Sequence, residues 1–184
     1  MEKSLWHNEI KLPSFHSLKG DIKTDVLIVG GGLCGLLCAY YLKKAGIDCI
    51  VAESNKIASG TSGNTTAKIT SLHGAIYGDL IEKSGIETAQ KYFDINQQAI
   101  KEYEKIAKSA DCDFKESTAY TYSLNDSEKI EKEYNALIKL GAPIKPDSKI
   151  SLPFISPTSS ILPLTPVKLA IEGNILLYGI SRKW

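Results

Sequence analysis

The chain of 184 residues carries 22 Lys and Arg against 21 Asp and Glu, a net charge of +1, and 43% of its residues are hydrophobic. That fraction suffices for a folded core, and the near-neutral balance argues against nucleic acid or an anionic membrane as a partner. The N-terminus lacks the apolar core of a signal peptide, and the longest apolar run, 33–42, is too short to span a bilayer. We therefore expect a soluble cytoplasmic protein.

The first predicted elements form a β-α-β unit. The run DVLIV (25–29) is short, apolar and rich in β-branched residues, which predicts a buried parallel strand. Residues 33–45 have helical spacing, and Gly46 stands where a glycine ends a helix. DCIVA (48–52) predicts a second buried strand, which ends at Glu53.

Helical sequence dominates the middle of the chain. Apolar residues recur at three- and four-residue steps over 79–110, with a break expected at Gly85. STAYTYSL (117–124) alternates as a strand does. Asn125 and Glu128 then resemble the capping box of a helix that reaches Leu140 and ends at Gly141.

The last part of the chain has a different character. Residues 143–166 hold six of the seven prolines and predict an extended loop. VKLAIEG (167–173) is interpreted as a short helix and NILLYGI (174–180) as a strand. The predicted fold class is α/β: a Rossmann-like βαβ domain for FAD or NAD(P), followed by the start of an α+β substrate domain. The predicted segments are an N-terminal arm (1–24), the βαβ unit with its cofactor loop (25–72), a partial substrate or helical domain (73–160) and a truncated return segment (161–184).

Cysteine and histidine spacing predicts no metal site. No Cys-x-x-Cys pair occurs, and the three histidines lie far from any second ligand in sequence. Cys34 and Cys38 are one helical turn apart, and we interpret them as reduced thiols packed beneath a helix rather than as a redox pair. His73, followed closely by Tyr77, is interpreted as an ordinary core or surface residue, because no partner stands at catalytic spacing.

The strongest motif is the glycine-rich turn VGGGLCG (29–35). Gly30, Gly32 and Gly35 fit Gly-x-Gly-x-x-Gly with a strand before and a helix after. In that context the first glycine permits the tight turn, the second lets backbone amides approach a pyrophosphate, and the third lets the helix lie close to the sheet. The pyrophosphate would lie at the positive end of the helix. The motif therefore predicts a nucleotide site.

Glu53 and a later loop extend this prediction. A carboxylate at the end of the second strand accepts hydrogen bonds from ribose hydroxyls and repels a 2′-phosphate, which argues against NADP. The loop SGTSGNTTAK (59–68) offers Lys68 and the hydroxyls of Thr61, Ser62, Thr65 and Thr66 to a second part of the cofactor, or it is a solvated connector.

These stretches resemble a known family. DVLIVGGGLCGLLCAYYLKKAGIDCIVAE is similar to the N-terminal FAD-binding motif of the D-amino-acid-oxidase-like FAD-dependent oxidoreductases. LWHNEIKLPSFHSLKGDIKTDVLIVGGG and GTSGNTTAKITSLHGAIYGDLIEKSG resemble a subgroup that often carries a C-terminal Rieske iron–sulfur domain. The Rieske pattern, Cys-x-His followed by Cys-x-x-His, does not occur in the sequence.

The resemblance implies a non-covalent FAD and hydride transfer from an amine- or amino-acid-type small molecule to the flavin, with an unknown electron acceptor. Family members are longer, so we expect a truncated or partial chain whose activity needs the missing C-terminal part. No catalytic residue is assigned. The candidate cofactor-binding residues are Gly30, Gly31, Gly32, Leu33, Cys34, Gly35, Glu53, Ser54, Thr61, Thr65 and Thr66.

Two alternatives stay open. The chain could be a non-catalytic remnant that holds FAD or ADP. It could also be an NAD-dependent dehydrogenase, because the same glycine turn and acid serve NAD. Flavin colour and comparative titration with FAD and NADH distinguish these three hypotheses.

Overall fold

A computed structural model of the chain describes residues 12–65, 68–110, 112–122, 126–146 and 168–179. The chain divides into two compact units, Met1–Thr66 and Ala67–Trp184. The division therefore falls within the hydroxyl-rich loop (59–68), whereas the sequence places the end of the cofactor-binding segment at residue 72. We describe each unit by itself.

The first unit is a β-α-β arrangement. It consists of strand β1 (Val26–Val29), helix α1 (Leu33–Lys44) and strand β2 (Cys49–Ala52). The two strands are parallel and paired residue by residue along their whole length. Gly46, just beyond the helix, has φ +75°, a left-handed conformation that glycine adopts without steric cost. The predicted βαβ fold is therefore confirmed, with the glycine turn between β1 and α1.

The prediction that these strands are buried is wrong on one face of β1. Leu27 is 58% exposed and Val29 is 83% exposed, whereas Val26 and Ile28 are half-buried. Helix α1 lies over the second pair, since a β-carbon added to Gly35 would be 3.2 Å from Ile28 Cγ2. A parallel strand is fully buried only when both faces of its sheet are covered. Within the described part of this unit, only the face that packs against α1 is covered.

The interpretation of Cys34 and Cys38 as residues packed beneath the helix is also wrong, because both side chains are exposed. The strands lie against the face of α1 that carries Gly35 and Ala39, and the two cysteines lie outside it. Both are free thiols in the structure.

Three helices build much of the second unit: α2 (Tyr77–Ser84), α3 (Ile86–Lys108) and α4 (Ser127–Lys139). The expected break is present, because Gly85 between α2 and α3 has φ +80°. Asp126 caps α4 and accepts a hydrogen bond from the Lys129 amide at 2.9 Å. The residue three positions after this cap is Lys129, so Glu128 does not stand where a capping box has its acid. Asn125 lies outside the described residues.

A four-stranded antiparallel sheet completes the second unit. Its strands are β3 (Lys68–Ile69), β4 (Asp113–Tyr122), β5 (Ile144–Pro146) and β6 (Lys168–Gly179). The order is β3-β6-β4, with β5 also paired to β6. The strand predicted at 117–124 is β4, and it starts earlier than predicted. Part of the loop predicted at 143–166 is β5, and residues 147–166 lie outside the described residues.

The helix predicted for VKLAIEG is wrong, because Lys168–Gly179 is one continuous strand. Its first residues pair with β4 on one side and with β5 on the other. Backbone hydrogen bonds to two neighbours replace those that a helix would form within itself, and helix propensity is too weak a preference to oppose them. The strand predicted for NILLYGI is confirmed through Gly179.

The core of the second unit lies among its helices and includes Tyr77, Phe93, Ile130 and Leu137. A carboxylate is buried with them. Glu133 on α4 is 1% exposed, and its Oε2 accepts a hydrogen bond from the Gly78 amide at 2.8 Å. Helix α2 has no side-chain cap of its own, so Glu133 satisfies an amide that the first turn of a helix leaves unpaired. Its Oε1 has no hydrogen-bond partner among the described residues.

Candidate functional site

The glycine turn is fixed to β2 at its first residue. Gly30 has φ +108°, and its amide donates to the Ala52 carbonyl at 2.8 Å. A residue with a β-carbon rarely adopts that φ, so the chain can leave β1 and reverse toward α1 at this point because the residue is glycine. The turn therefore starts from the carboxyl end of both parallel strands.

Gly35 brings α1 against the turn. A β-carbon at this position would lie 2.0 Å from the Gly30 carbonyl oxygen, a backbone atom. The helix consequently sits closer to β1 than any other residue type would allow. Gly35 thus serves the helix–strand contact that the motif assigns to its third glycine.

Glu53 reaches from the end of β2 into the turn. Its Oε2 accepts a hydrogen bond from the Gly31 amide at 2.8 Å, and its Oε1 accepts one from the Asn55 amide at 2.9 Å. The Ser54 hydroxyl also donates to Oε1, at 3.3 Å. The Asn55 and Gly31 amides stabilise the ionised form and hold the pKa of Glu53 below its ordinary value. The carboxylate therefore braces the glycine turn, and its remaining lone pairs can accept further donors.

Ser62 approaches the N-terminus of α1 from the second loop. Residues Thr61–Asn64 form a short 3-10 helix, and Ser62 Oγ accepts a hydrogen bond from the Leu33 amide at 2.8 Å. A β-carbon on Gly32 would lie 3.2 Å from the same Oγ. The sequence identified the loop hydroxyls as a group but did not single out Ser62 as the one at the helix. That contact joins residues 29 positions apart, and no local pattern marks it.

The remaining candidate residues belong to the second loop and to the first turn of α1. Thr61 and Thr65 are exposed at the two ends of the 3-10 turn, and Thr66 lies outside the described residues. Leu33 and Cys34 occupy the first turn of α1, with their side chains exposed. The structure therefore brings the glycines, Glu53 and Ser62 together, and these form the centre of the candidate site.

The chemistry of this centre suits a pyrophosphate. The groups at the N-terminus of α1 are backbone amides and a serine hydroxyl, which donate hydrogen bonds to phosphate oxygens, and the helix dipole is positive there. A β-carbon on Gly32 would narrow the approach to those amides, as its distance to Ser62 indicates. Within the described ranges, no group of three or more His, Cys, Asp or Glu side chains could hold a metal ion.

His73, in the second unit, has a partner that its sequence neighbours did not suggest. Its Nδ1 lies 3.0 Å from the hydroxyl oxygen of Tyr92, on α3, and both side chains are exposed. Tyr77 packs edge to face on Tyr92 and donates to the Ser71 carbonyl at 2.7 Å. Burial raises the pKa of Tyr77 well above its ordinary value. Tyr77 therefore belongs to the core of the second unit.

No helix in the described parts of the chain is long and apolar enough to cross a membrane.

A parallel βαβ unit with a glycine turn, a helix N-terminus and an acid after its second strand defines a nucleotide-binding protein of the Rossmann type. The model of the family described as FAD dependent oxidoreductase matches residues 25–159, more than half of the chain. The chain belongs to this family of FAD-dependent oxidoreductases, and FAD is its expected cofactor. The resemblance stated from the sequence is thereby confirmed.

Curated relatives agree with this family. YhfW of Bacillus subtilis, which carries the name of a Rieske 2Fe-2S iron-sulfur protein, is 38% identical over 143 residues. Gamma-glutamylputrescine oxidoreductase of Escherichia coli is 32% identical over 126 residues. The matched regions are 76% and 64% of this chain, and 28% of each relative. D-amino acid dehydrogenase of Helicobacter pylori is 39% identical over 51 residues, which are 28% of this chain and 12% of that protein.

Proposed function

We propose that the first unit binds FAD with its adenosine diphosphate half at the glycine turn. The observation that carries the proposal is the convergence of Gly31, Glu53 and Ser62 on the N-terminus of α1, in a chain of a FAD-dependent family. The proposed contact residues are Ser62 and the eleven that the sequence predicts. Those eleven are Gly30, Gly31, Gly32, Leu33, Cys34, Gly35, Glu53, Ser54, Thr61, Thr65 and Thr66.

Each part of this site has a defined task. The amides at the start of α1 donate to the pyrophosphate, where the helix dipole also favours negative charge. Glu53 accepts from the ribose hydroxyls with the lone pairs that its backbone partners leave. Like any glutamate with an ordinary or lowered pKa, Glu53 is ionised at neutral pH, so it also repels a 2′-phosphate. FAD, when bound, supplies the capacity to accept a hydride from a substrate.

For the whole protein we propose oxidation of an amine- or amino-acid-type small molecule. Two of the relatives support this proposal by their names, a gamma-glutamylputrescine oxidoreductase and a D-amino acid dehydrogenase. The matched region covers 28% of the first of these, so this part of the proposal reaches beyond the residues of the present site. The electron acceptor is left unassigned, and the cytoplasmic location stays a prediction from the sequence.

Titration of the purified full chain with FAD, followed by flavin fluorescence, tests the binding proposal. We expect saturable binding in which ADP competes and NADH competes less well. Gly32→Val places a branched side chain beside Ser62 and should weaken FAD binding by tenfold or more. Gly60→Ala is the matched control, because no heavy atom lies within 4 Å of a β-carbon there. A chain that is folded and does not bind FAD contradicts the proposal.

Anaerobic addition of candidate amines and amino acids to the FAD-loaded chain then separates catalysis from binding. Bleaching of the flavin absorbance by one of them supports the oxidoreductase proposal for this chain. Stable binding of FAD with no bleaching by any of them supports the alternative of a cofactor-binding module without turnover. Preferential binding of NADH over FAD would favour the dehydrogenase alternative.

A further inference from the structure

Ala58 has an unusual backbone conformation. Its φ is +54°, and among the described residues it is the only non-glycine residue with a positive φ. An alanine in this left-handed region has its β-carbon crowded against the backbone, so the conformation persists only where the surrounding contacts favour it. Ala58 follows Glu53 in the loop after β2 and belongs to none of the motifs discussed above. The contacts of Ala58 show which part of the glycine turn this conformation holds.

The amide of Ala58 donates a hydrogen bond to the Gly31 carbonyl at 2.9 Å. The adjacent residue, Ile57, lies against the same glycine, since a β-carbon on Gly31 would be 2.9 Å from Ile57 Cγ2. Gly31 itself is buried. The loop after β2 therefore holds the middle glycine of the turn through one hydrogen bond and one close packing contact.

This hydrogen bond fixes the orientation of a peptide group. In a planar trans peptide the carbonyl and the following amide point in opposite directions. With the Gly31 carbonyl directed at Ala58, the Gly32 amide must point away from that loop. Within residues 12–65 the Gly32 amide donates to no acceptor, so it is available to an anion.

A glycine pair needs such an external contact. Glycine populates positive and negative φ with similar ease, so the peptide between Gly31 and Gly32 can rotate to its reverse orientation at small steric cost. The reversed peptide would present a carbonyl oxygen, instead of an amide, to a phosphate. Glu53 already fixes the preceding peptide by accepting the Gly31 amide. The hydrogen bond from the Ala58 amide fixes the following peptide, between Gly31 and Gly32, in the same way.

We propose that Ala58 is a positioning residue that holds the Gly31–Gly32 peptide with its amide toward the cofactor pyrophosphate. The inference rests on the proposed function of the glycine turn, and it assigns to the strained loop a role in phosphate recognition. Ala58 acts through its backbone amide and its left-handed conformation, not through its methyl group.

Two substitutions separate these properties. Ala58→Gly keeps the amide and adopts φ +54° without strain, so it should bind ADP within about threefold of the wild-type chain. Ala58→Pro removes the amide and fixes φ near −65°. Loss of one hydrogen bond to a charged group predicts an ADP affinity lower by roughly tenfold to a hundredfold. Adenosine has no phosphate, and its affinity should change by less than about threefold.

The measurement is a titration of the full 15N-labelled chain with ADP and with adenosine, followed by NMR. In the wild-type chain and Ala58→Gly we expect the Gly32 amide resonance to move when ADP is added, and in Ala58→Pro we expect no such movement. An unchanged ratio of ADP to adenosine affinity in a folded Ala58→Pro variant overturns the proposal. A wild-type chain that binds neither FAD nor ADP overturns the proposed function instead, so the two failures are distinguishable.

Hydrogen exchange in the wild-type chain tests the proposal without any substitution, should Ala58→Pro unfold the first unit. If the Ala58 hydrogen bond favours the binding-competent turn, ADP must in return stabilise that bond. We expect the Ala58 amide to exchange at least tenfold more slowly at saturating ADP. An exchange rate of this amide that ADP leaves unchanged contradicts the inference.

Discussion

The substitution Gly35→Ala tests the close contact between α1 and the glycine turn of the first unit. The added β-carbon would lie 2.0 Å from the Gly30 carbonyl oxygen. Carbon–oxygen contacts below 3.0 Å are essentially absent from proteins, so α1 and the turn must separate by about 1 Å. Both groups belong to the backbone, and no side-chain rotation relieves the overlap.

The magnitude follows from two opposing terms. Overpacking of this kind costs about 1–3 kcal/mol and sometimes more, and a gap of this size also forfeits a quarter to a half of each dispersion contact across it. Replacing a helical glycine by alanine returns about 1 kcal/mol of helix propensity. Because the overlap involves two backbone groups, we take the upper part of the overpacking range. We expect a net loss of about 2 kcal/mol, roughly a thirtyfold change in the local opening equilibrium.

Hydrogen exchange with peptide-level mass spectrometry measures this loss in the right place, because the two units need not unfold together. Peptides that cover β1 and β2 should exchange about thirtyfold faster in Gly35→Ala. Gly60→Ala, in the same unit and free of close neighbours, should leave them unchanged. If Gly35→Ala protects β1 and β2 as well as Gly60→Ala does, the close approach of α1 to the turn is not a constraint and the reasoning fails.

Three further predictions concern buried or charged hydrogen bonds. The pKa of Glu53 is lower in the folded chain than its ordinary value of 4.5. Its contribution to stability is therefore present above pH 4.5 and is lost as the pH falls through the lower folded pKa. Glu53→Gln should remove this dependence and flatten the acid limb of a plot of unfolding temperature against pH. Glu133→Ala, which leaves the Gly78 amide without its acceptor, should cost roughly 1–3 kcal/mol in urea unfolding followed by circular dichroism, and Glu133→Gln should cost less. Tyr77→Phe, which leaves the carbonyl of the buried Ser71 unpaired, should cost roughly 1–2 kcal/mol in the same assay, and equal stability would contradict that role.

Local patterns predicted the first unit well. The spacing of Gly30, Gly32 and Gly35, with strands on either side, is a short-range signal, and the structure has the corresponding turn and helix. Gly85 likewise separates two helices where the sequence indicates a break. In both regions the backbone needs glycine for a local reason, a left-handed φ or a close approach, that the sequence itself reveals.

Contacts between distant segments were not predictable in the same way. The helix expected for VKLAIEG is a strand because β4, far earlier in the chain, and β5 pair with it. The hydroxyl at the start of α1 belongs to Ser62, 29 residues beyond Leu33, and the partner of His73 is Tyr92, 19 residues away. Such pairs depend on tertiary geometry, which propensity and periodicity do not encode.

The buried carboxylate of Glu133 has a consequence for the order in which the second unit folds. Helix α2 has eight residues, too few to be stable alone in water, and the acceptor for its Gly78 amide lies 55 residues later in the chain. Helix α2 therefore gains its full stability only after α4 has docked, although its residues precede those of α4 in the chain. Mutations in α2 should then change mainly the unfolding rate, whereas mutations in the helix that carries Glu133 should slow folding as well.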